Sequence, residues 1–227
     1  GDNVVTTLDV ELQQIAYQAL GDRNGAVIAI EPDTGKVLAM VSKPDYDPNP
    51  LSLETSWEEM IGAPDNQGQL LNRAVQGLYP PGSIFKIVTM LEAMRENPEH
   101  YLEDTFDCSG TFTQNEYSIR CYHGTAHGTQ DMSLAFANSC NGAFAQMGLH
   151  LDLDRMYQLT EQLLFHSDLP LSMAYSKSSY EMKAGAGDWE ILQTAIGQGK
   201  TQVTPMHFAM ITCAIANGGI LMKPYAM

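Results

Sequence analysis

The feature that most constrains the fold of this chain is one apolar helix that begins directly after two prolines. Pro80 and Pro81 are followed by Gly82 and Ser83, and the residues at 84–94 are apolar on nearly every helical face. Prolines just ahead of a helix and a serine at its boundary are typical of a helix N-terminus. Because a helix that is apolar on all sides is stable only when it is buried, we expect this helix to be central in a folded domain.

Composition limits the class of protein and its partners. With 44% hydrophobic and 17% charged residues, the 227-residue chain is neither disordered nor a coiled coil, and we expect one domain over residues 1–227. Twelve Lys and Arg residues against 27 Asp and Glu residues give a net charge of −15. Such a charge repels phosphate backbones at long range, so we expect no nucleic-acid partner.

Hydrophobic periodicity predicts strands as well as further helices. Residues 26–30 and 36–41, joined by a turn-rich segment, predict a hairpin of two buried strands. Residues 43–72 are rich in Pro and Gly and predict a long surface excursion, with one or two helical turns at most. Residues 100–130 show no clear hydrophobic periodicity. The remaining periodic segments predict helices at 8–20, at 131–165 with a break around 138–142, at 189–197 and at 205–217.

Ser83 and Lys86 form the only Ser-x-x-Lys sequence in the chain. On a helix, residues three apart share a face, so the amine can reach the hydroxyl. A serine hydroxyl needs an adjacent base to act as a nucleophile, and burial in an apolar helix favours the neutral, basic form of lysine. The alternative interpretation is structural, with Ser83 capping the helix and Lys86 extending its amine to solvent.

Ser139 and Asn141 lie at the predicted break between two helical stretches. There a hydroxyl and a carboxamide can project from a loop that packed helices hold on both sides. Taken alone, this pair is explained equally by capping of the second helix.

Together, Ser83-x-x-Lys86 and Ser139-x-Asn141 are two of the three short motifs typical of penicillin-binding proteins and class A β-lactamases. The chain resembles the transpeptidase domain of a penicillin-binding protein, most similar to the class B, monofunctional kind. The resemblance extends from about residue 4 to 222 and includes further stretches in the family's order, namely Thr6-Thr7-Leu8-Asp9, Gly25-Ala26-Val27, Thr34–Met40, Pro44–Asn49, Asn72-Arg73-Ala74, Ile196–Gly199, Thr204-Pro205 and Ala216–Gly219.

The resemblance implies a role for each candidate residue. Ser83 would be the acylated nucleophile and Lys86 its general base. Ser139 would relay a proton to the leaving amine, and Asn141 would donate a hydrogen bond to the substrate amide. The implied substrate is a peptidoglycan stem peptide that ends in D-alanyl-D-alanine, β-lactam antibiotics would acylate the same serine, and no cofactor is implied.

The resemblance also implies a fold and a location. The fold is α+β, with a mainly antiparallel sheet flanked by helices. The full-length protein would be membrane-anchored on the extracytoplasmic face of a bacterial cell membrane, within a cell-wall synthesis complex. No apolar run here approaches the ~18 residues of a membrane helix, so we expect the anchor to lie outside this chain.

The sequence departs from the family's pattern near its C-terminus. The third motif, Lys-Thr-Gly on an edge strand, is missing, and Lys200-Thr201-Gln202 is not a substitute because it precedes Thr204-Pro205. We therefore expect the chain to end before the last strands of the fold, without one wall of the cleft and half of the oxyanion hole.

Two other functions use the same fold. A serine β-lactamase would need a base that activates water, and Glu161 resembles such a residue, but Phe165 stands where that family has Asn. An ordinary helix face explains Glu161 better. The non-enzyme alternative is a β-lactam sensor or division scaffold that binds without turnover.

The segment 100–130 also contains residue types that can bind a metal, in a loose spacing: Cys108, Cys121, His123 and His127. Cys121 and His123 are only two positions apart, which does not suit a Cys-x₂-Cys knuckle, so we expect no metal. A disulfide between Cys108 and Cys121 is favoured in an extracytoplasmic domain, and two reduced cysteines under a loop are the other possibility.

Overall fold

The computed structural model describes residues 3–49, 54–62 and 68–227, which form helices and antiparallel strand pairs. The helices are α1 (Val10–Leu20), α2 (Glu54–Gly62), α3 (Lys86–Glu96), α4 (Met132–Ala137), α5 (Asn141–His150), α6 (Leu153–Gln162), α7 (Asp188–Ala195) and α8 (Pro205–Ala216). The strands are β1 (Gly25–Ile30), β2 (Val37–Lys43), β3 (Thr105–Cys108), β4 (Thr111–Gln114), β5 (Tyr117–Arg120) and β6 (Gly128–Asp131).

The chain divides into two compact units. The first consists of residues 1–78, 168–177 and 203–227, and the second of residues 79–167 and 178–202. No helix of the described ranges is both long and apolar enough to cross a membrane. The expected single domain over 1–227 stays a prediction.

The first unit contains the predicted hairpin. Strands β1 and β2 pair antiparallel, with Gly25 opposite Lys43 and Val27 opposite Val41. Helix α1 packs on this hairpin through Ala16, and α8 packs against β1. Asp9 caps α1 by accepting a hydrogen bond from the Leu12 amide.

The second unit is built around α3. This helix packs against α5 and α6, and α5 packs against α7. The hydroxyl of Thr89 on α3 donates to the carbonyl of Ala195, the last residue of α7, at 2.8 Å. The central position predicted for this apolar helix is confirmed.

The structure differs from the sequence expectations in three places. Residues 105–131 contain four short strands, β3 paired with β6 and β4 paired with β5. Each strand is only four residues long, which is too short for its alternation of buried and exposed residues to give a clear period. Helix α2 is longer than the one or two turns predicted within 43–72, of which residues 50–53 and 63–67 lie outside the described residues. Helix α3 begins at Lys86 and not at Ser83, because Gly82–Phe85 form a 3-10 turn.

Candidate active site

Ser83 lies in the 3-10 turn Gly82–Phe85 and is solvent-exposed. The end of the turn is fixed by Phe85, which is fully buried. Its ring stacks on Tyr180 at 5.9 Å between centroids and meets Phe165 edge-on at 6.3 Å. An exposed hydroxyl is thus presented by a rigid apolar anchor two residues away.

Gly197 holds the other end of this turn. The amide of Gly82 donates to the Gly197 carbonyl at 2.8 Å. Gly197 has φ of 77°, and a Cβ atom there would lie 1.9 Å from the Gly82 oxygen. Only glycine allows the two backbones to approach this closely, so the Gly197-Gln198-Gly199 segment helps to position Ser83.

The amine of Lys86 lies at the centre of the site. Lys86 is 1% exposed, and its Nζ lies 3.4 Å from Ser83 Oγ and 3.0 Å from Ser139 Oγ. It also donates to the Ser139 carbonyl and to Asn141 Oδ1, each at 2.7 Å. The predicted approach of Lys86 to Ser83 is confirmed, at the longer end of hydrogen-bond reach.

Burial changes the basicity of this amine. Removal from water lowers the pKa of Lys86 to about 8, against the opposing effect of the Cys140 and Cys121 thiols, whose ionised forms would raise it. About a tenth of the amine is therefore neutral at pH 7, and the neutral amine is the form that a general base requires.

Ser139 and Asn141 approach Lys86 from the junction of α4 and α5. Ser139 has φ of 48°, a left-handed conformation that turns the chain between the two helices, and Asn141 is the first residue of α5. The Asn141 amide nitrogen donates to the carbonyl of Arg120, at the end of β5, at 3.0 Å. The predicted convergence of both residues on the Ser83 site is confirmed.

The motif residues Ser83, Ser139 and Asn141 open onto one cleft of about 600 Å³. It is lined by Ser83, Ser139, Asn141, Arg120, Tyr122, Thr125, His127 and Asn138. This is the size of an ordinary small-molecule site. Sequence reasoning did not place the last five residues at the cleft, and it considered His127 only as a metal ligand. They lie on a short strand, turns and a helix end that carry no catalytic motif of their own.

The structure rearranges the metal-ligating set that the sequence suggested. Cys108, Cys121 and His127 come together with Cys140, and the four ligand atoms lie within 4.8 Å of one another. His123 is exposed and packs against the Tyr122 ring, with 4.0 Å between ring centroids. The signal that could have identified Cys140 was its position between Ser139 and Asn141.

Comparison with known proteins decides the family. Residues 25–227 match the family model of the penicillin binding protein transpeptidase domain. The chain belongs to this family. The α+β transpeptidase fold expected from the sequence is thereby confirmed.

Individual members of the transpeptidase family give the same answer. The peptidoglycan D,D-transpeptidase PbpA of Mycolicibacterium smegmatis is 34% identical over 99% of this chain and 48% of its own length. The peptidoglycan D,D-transpeptidase MrdA of Acinetobacter baumannii is 32% identical over the whole chain and 35% of its own length. The chain therefore spans half or less of these relatives.

A solved structure of the family has the same fold. Penicillin-binding protein A from M. tuberculosis, as a ceftriaxone acyl-enzyme complex, superposes with a TM-score of 0.88 at 31% identity. The match covers all of this chain and 53% of that one. In that relative a β-lactam is bound covalently.

Proposed function

We propose that this chain carries the acyl-transfer centre of a peptidoglycan D,D-transpeptidase. Its substrate is a stem peptide ending in D-alanyl-D-alanine, and β-lactams acylate the same serine, Ser83. The names of the relatives and the covalent complex of M. tuberculosis penicillin-binding protein A support this proposal.

The main structural support for this proposal is the set of contacts that the Lys86 amine makes. Two of its four neighbours, the Ser139 carbonyl and Asn141 Oδ1, only accept hydrogen bonds, and both lie at 2.7 Å. A neutral amine has two N–H groups and one lone pair. Once both N–H groups are donated to these two oxygens, the lone pair is left for the hydroxyls of Ser83 and Ser139.

The first chemical step follows from this arrangement. Ser83 Oγ forms a bond to the carbonyl carbon of the penultimate D-alanine while its proton passes to Lys86 Nζ. Ser83 lies in the 3-10 turn that leads into α3. Backbone N–H groups at the start of a helical segment have no intrahelical acceptor and favour a developing oxyanion. The negative charge of the tetrahedral intermediate is therefore stabilised beside the nucleophile.

Collapse of that intermediate requires a proton on the leaving amine. Ser139 Oγ lies 3.0 Å from Lys86 Nζ and faces the cleft. The Ser139 hydroxyl passes the proton from Lys86 to the nitrogen of the terminal D-alanine. The C–N bond then breaks and the terminal D-alanine leaves. The acceptor amine of a second stem peptide then attacks the acyl-enzyme, and the same groups act in reverse order.

Asn141 orients the substrate. Its oxygen is held by Lys86 and one amide N–H by the Arg120 carbonyl, which fixes the plane of the carboxamide. The group has a second N–H, which donates to the amide carbonyl of the bound peptide.

The two alternatives predict different fates for the acyl group. A β-lactamase must activate water, but Glu161 lies on α6 and is not among the residues that line the cleft of Ser83. A sensor or scaffold would acylate without turning over a peptide. Neither alternative has an observation in its favour beyond the shared fold.

The location and partners follow from the substrate. Peptidoglycan is assembled outside the cytoplasmic membrane, so the site faces the extracytoplasmic side, and we place the membrane anchor in the full-length protein. That protein works within a cell-wall synthesis complex. We expect neither a cofactor nor nucleic acid to take part in the acyl transfer.

Turnover tests this proposal. The intact protein is incubated with a stem-peptide mimic ending in D-alanyl-D-alanine and an acceptor amine, and release of D-alanine and the cross-linked product are measured. Ser83→Ala is the blank. Release of D-alanine with product formation supports a transpeptidase. Penicillin labelling without any release would favour the sensor, and rapid loss of the penicillin label would favour the β-lactamase.

A further inference from the structure

The guanidinium of Arg120 is a cation of the cleft that has no part in the acyl-transfer steps above. Arg120 is the last residue of β5, is exposed, and lines the cleft together with Ser83 and Asn141. We propose that Arg120 selects the substrate by binding a side-chain carboxylate on the residue that precedes D-alanyl-D-alanine, which we call the preceding residue. This inference rests on the proposed function and names the substrate class of the same site.

The charges around the cleft favour an anion. The residues that line it include Arg120 and His127, and no Asp or Glu of the described ranges is among them. The amine of Lys86, which is mostly protonated at pH 7, adds positive charge within 3.4 Å of Ser83 Oγ. Because the whole chain has a net charge of −15, the cleft is a local exception to the field of the protein. A carboxylate on the substrate is therefore attracted to the cleft.

The other basic groups of the cleft already have partners. Lys86 donates to two oxygens at the junction of α4 and α5, each at 2.7 Å. His127 Nδ1 lies 3.3 Å from Cys108 Sγ. Within the part of the chain that the structure describes, no Asp or Glu forms an ion pair with the Arg120 guanidinium. The N–H groups of Arg120 can therefore serve a ligand.

A glycine fixes the direction of the guanidinium. A Cβ atom on Gly124 would lie 2.8 Å from both Nε and Nη2 of Arg120, so this edge of the guanidinium abuts Gly124. Gly124 has φ of 72° and ends the 3-10 turn Tyr122–Gly124, and its amide donates to the Cys121 carbonyl at 2.8 Å. Only glycine leaves space for the side chain at this position. The Nη1 end of the guanidinium is left for a ligand.

The backbone of Arg120 determines which part of the substrate lies beside it. The Arg120 carbonyl accepts a hydrogen bond from Asn141 Nδ2 at 3.0 Å. In the proposed function, the second N–H of the same Asn141 group donates to an amide carbonyl of the bound peptide. That carbonyl belongs to the preceding residue, because Ser83 attacks the carbonyl of the D-alanine that follows it. The side chain nearest to Arg120 is therefore that of the preceding residue.

The chemistry of a guanidinium favours a carboxylate over other polar groups. A guanidinium donates charge-assisted hydrogen bonds to both oxygens of a carboxylate. A carboxamide has one acceptor oxygen and no charge, and an ammonium group is repelled. The favoured substrates are therefore stem peptides whose preceding residue carries a free carboxylate. Peptides in which this group is amidated or absent should bind more weakly.

Binding to the intact protein with Ser83→Ala tests the inference without any chemical step. Two stem-peptide mimics ending in D-alanyl-D-alanine are compared, one with a side-chain carboxylate and one with a carboxamide on the preceding residue. The carboxylate mimic should bind about tenfold more tightly, as expected for hydrogen bonds between charged groups. This preference should shrink at high salt. Equal affinities of the two mimics at low salt would overturn the inference.

Variants test whether Arg120 is the responsible group. In the Ser83→Ala background, Arg120→Gln should bind both mimics equally. Arg120→Lys, which keeps the charge but loses the planar donor geometry, should keep part of the preference. Lys200→Gln is the matched control, because Lys200 is 74% exposed and does not line the cleft. A preference that survived in Arg120→Gln, or that was lost in Lys200→Gln, would contradict the role of Arg120.

A third mimic tests the position of the carboxylate. It carries a carboxamide on the preceding residue and a carboxylate one residue further from the D-alanines. Its affinity for the Ser83→Ala protein should equal that of the carboxamide mimic. If it bound as tightly as the first mimic, the assignment to the preceding residue would be wrong.

Turnover by the wild-type protein separates this inference from the proposed function. D-Alanine should be released from both of the first two mimics, with the higher kcat/KM for the carboxylate mimic, and Arg120→Gln should remove the difference. Release with equal kcat/KM would overturn the role of Arg120 and leave the transpeptidase proposal intact. A tenfold preference in binding without release from either mimic would overturn the acyl-transfer proposal and leave the carboxylate site standing.

Discussion

Lys86 Nζ lies 2.7 Å from Asn141 Oδ1, although 55 residues separate the two along the chain. This contact joins α3, which follows Ser83, to α5, which begins with Asn141. It also limits the directions in which the amine can donate, and so leaves its lone pair for a hydroxyl. A buried lysine with this partner has a fixed orientation, as the proposed general base requires.

Replacing Lys86 with methionine should abolish rapid acylation while the apolar stem keeps its packing. General-base catalysis is worth about 10²–10⁴ in rate, so the acylation rate of Lys86→Met should fall by that factor. The loss of two donated hydrogen bonds also removes some stability, which unfolding in denaturant measures separately. The matched control is Lys200→Met, whose side chain is 74% exposed. Equal rates in the two variants would contradict the base role.

The rate of acylation should depend on pH through Lys86. Burial lowers its pKa from 10.5 to about 8, and only the neutral amine accepts the proton of Ser83. The rate should therefore be half-maximal near pH 8, level off well above it and fall about tenfold per pH unit well below it. Stopped-flow measurement with a fluorescent penicillin, with Ser83→Ala as the blank, gives this profile. An inflection near 10.5 would show that the amine is not desolvated.

The sequence predicted the four motif residues of the candidate site better than it predicted the strands of residues 105–131 beside them. The hairpin, the central helix and the Ser83, Lys86, Ser139 and Asn141 motifs follow from local patterns of strong periodicity or rare spacing. The strands of residues 105–131 are only four residues long and largely exposed, so no periodic signal marks them. The contact of Cys140 with the Cys121 sulfur depends on long-range packing between residues 19 apart in the sequence.

Gly197→Ala should damage the site through the backbone. A Cβ atom there would lie 1.9 Å from the Gly82 oxygen, so the turn that carries Ser83 must move. We expect a loss of stability well above the ~1–2 kcal/mol that the left-handed conformation alone costs an alanine. We also expect slower acylation. Gly185→Ala is the matched control, since Gly185 has φ of 86° with nothing within 4 Å of its added Cβ. Similar losses of stability and rate in both variants would mean that the close approach is unimportant.

Thr89→Val should lower stability by about 1–3 kcal/mol. The buried Thr89 hydroxyl donates to the Ala195 carbonyl at the C-terminus of α7, which has no intrahelical donor. Thr160→Val is the control, because the equally buried Thr160 hydroxyl bonds to Tyr157 inside α6, where the carbonyl keeps its helical donor. Chemical denaturation compares them. If Thr160→Val lost as much as Thr89→Val, the link between α3 and α7 would not be the cause.

The most direct test of the central claim is to locate the acyl group. The intact protein is reacted with penicillin, digested, and analysed by peptide mass spectrometry, with Ser83→Ala and Ser139→Ala treated in parallel. The account predicts a single adduct on Ser83, no adduct in Ser83→Ala, and a slowed adduct on Ser83 in Ser139→Ala. An adduct on any other residue, or one that persists undiminished in Ser83→Ala, would contradict it.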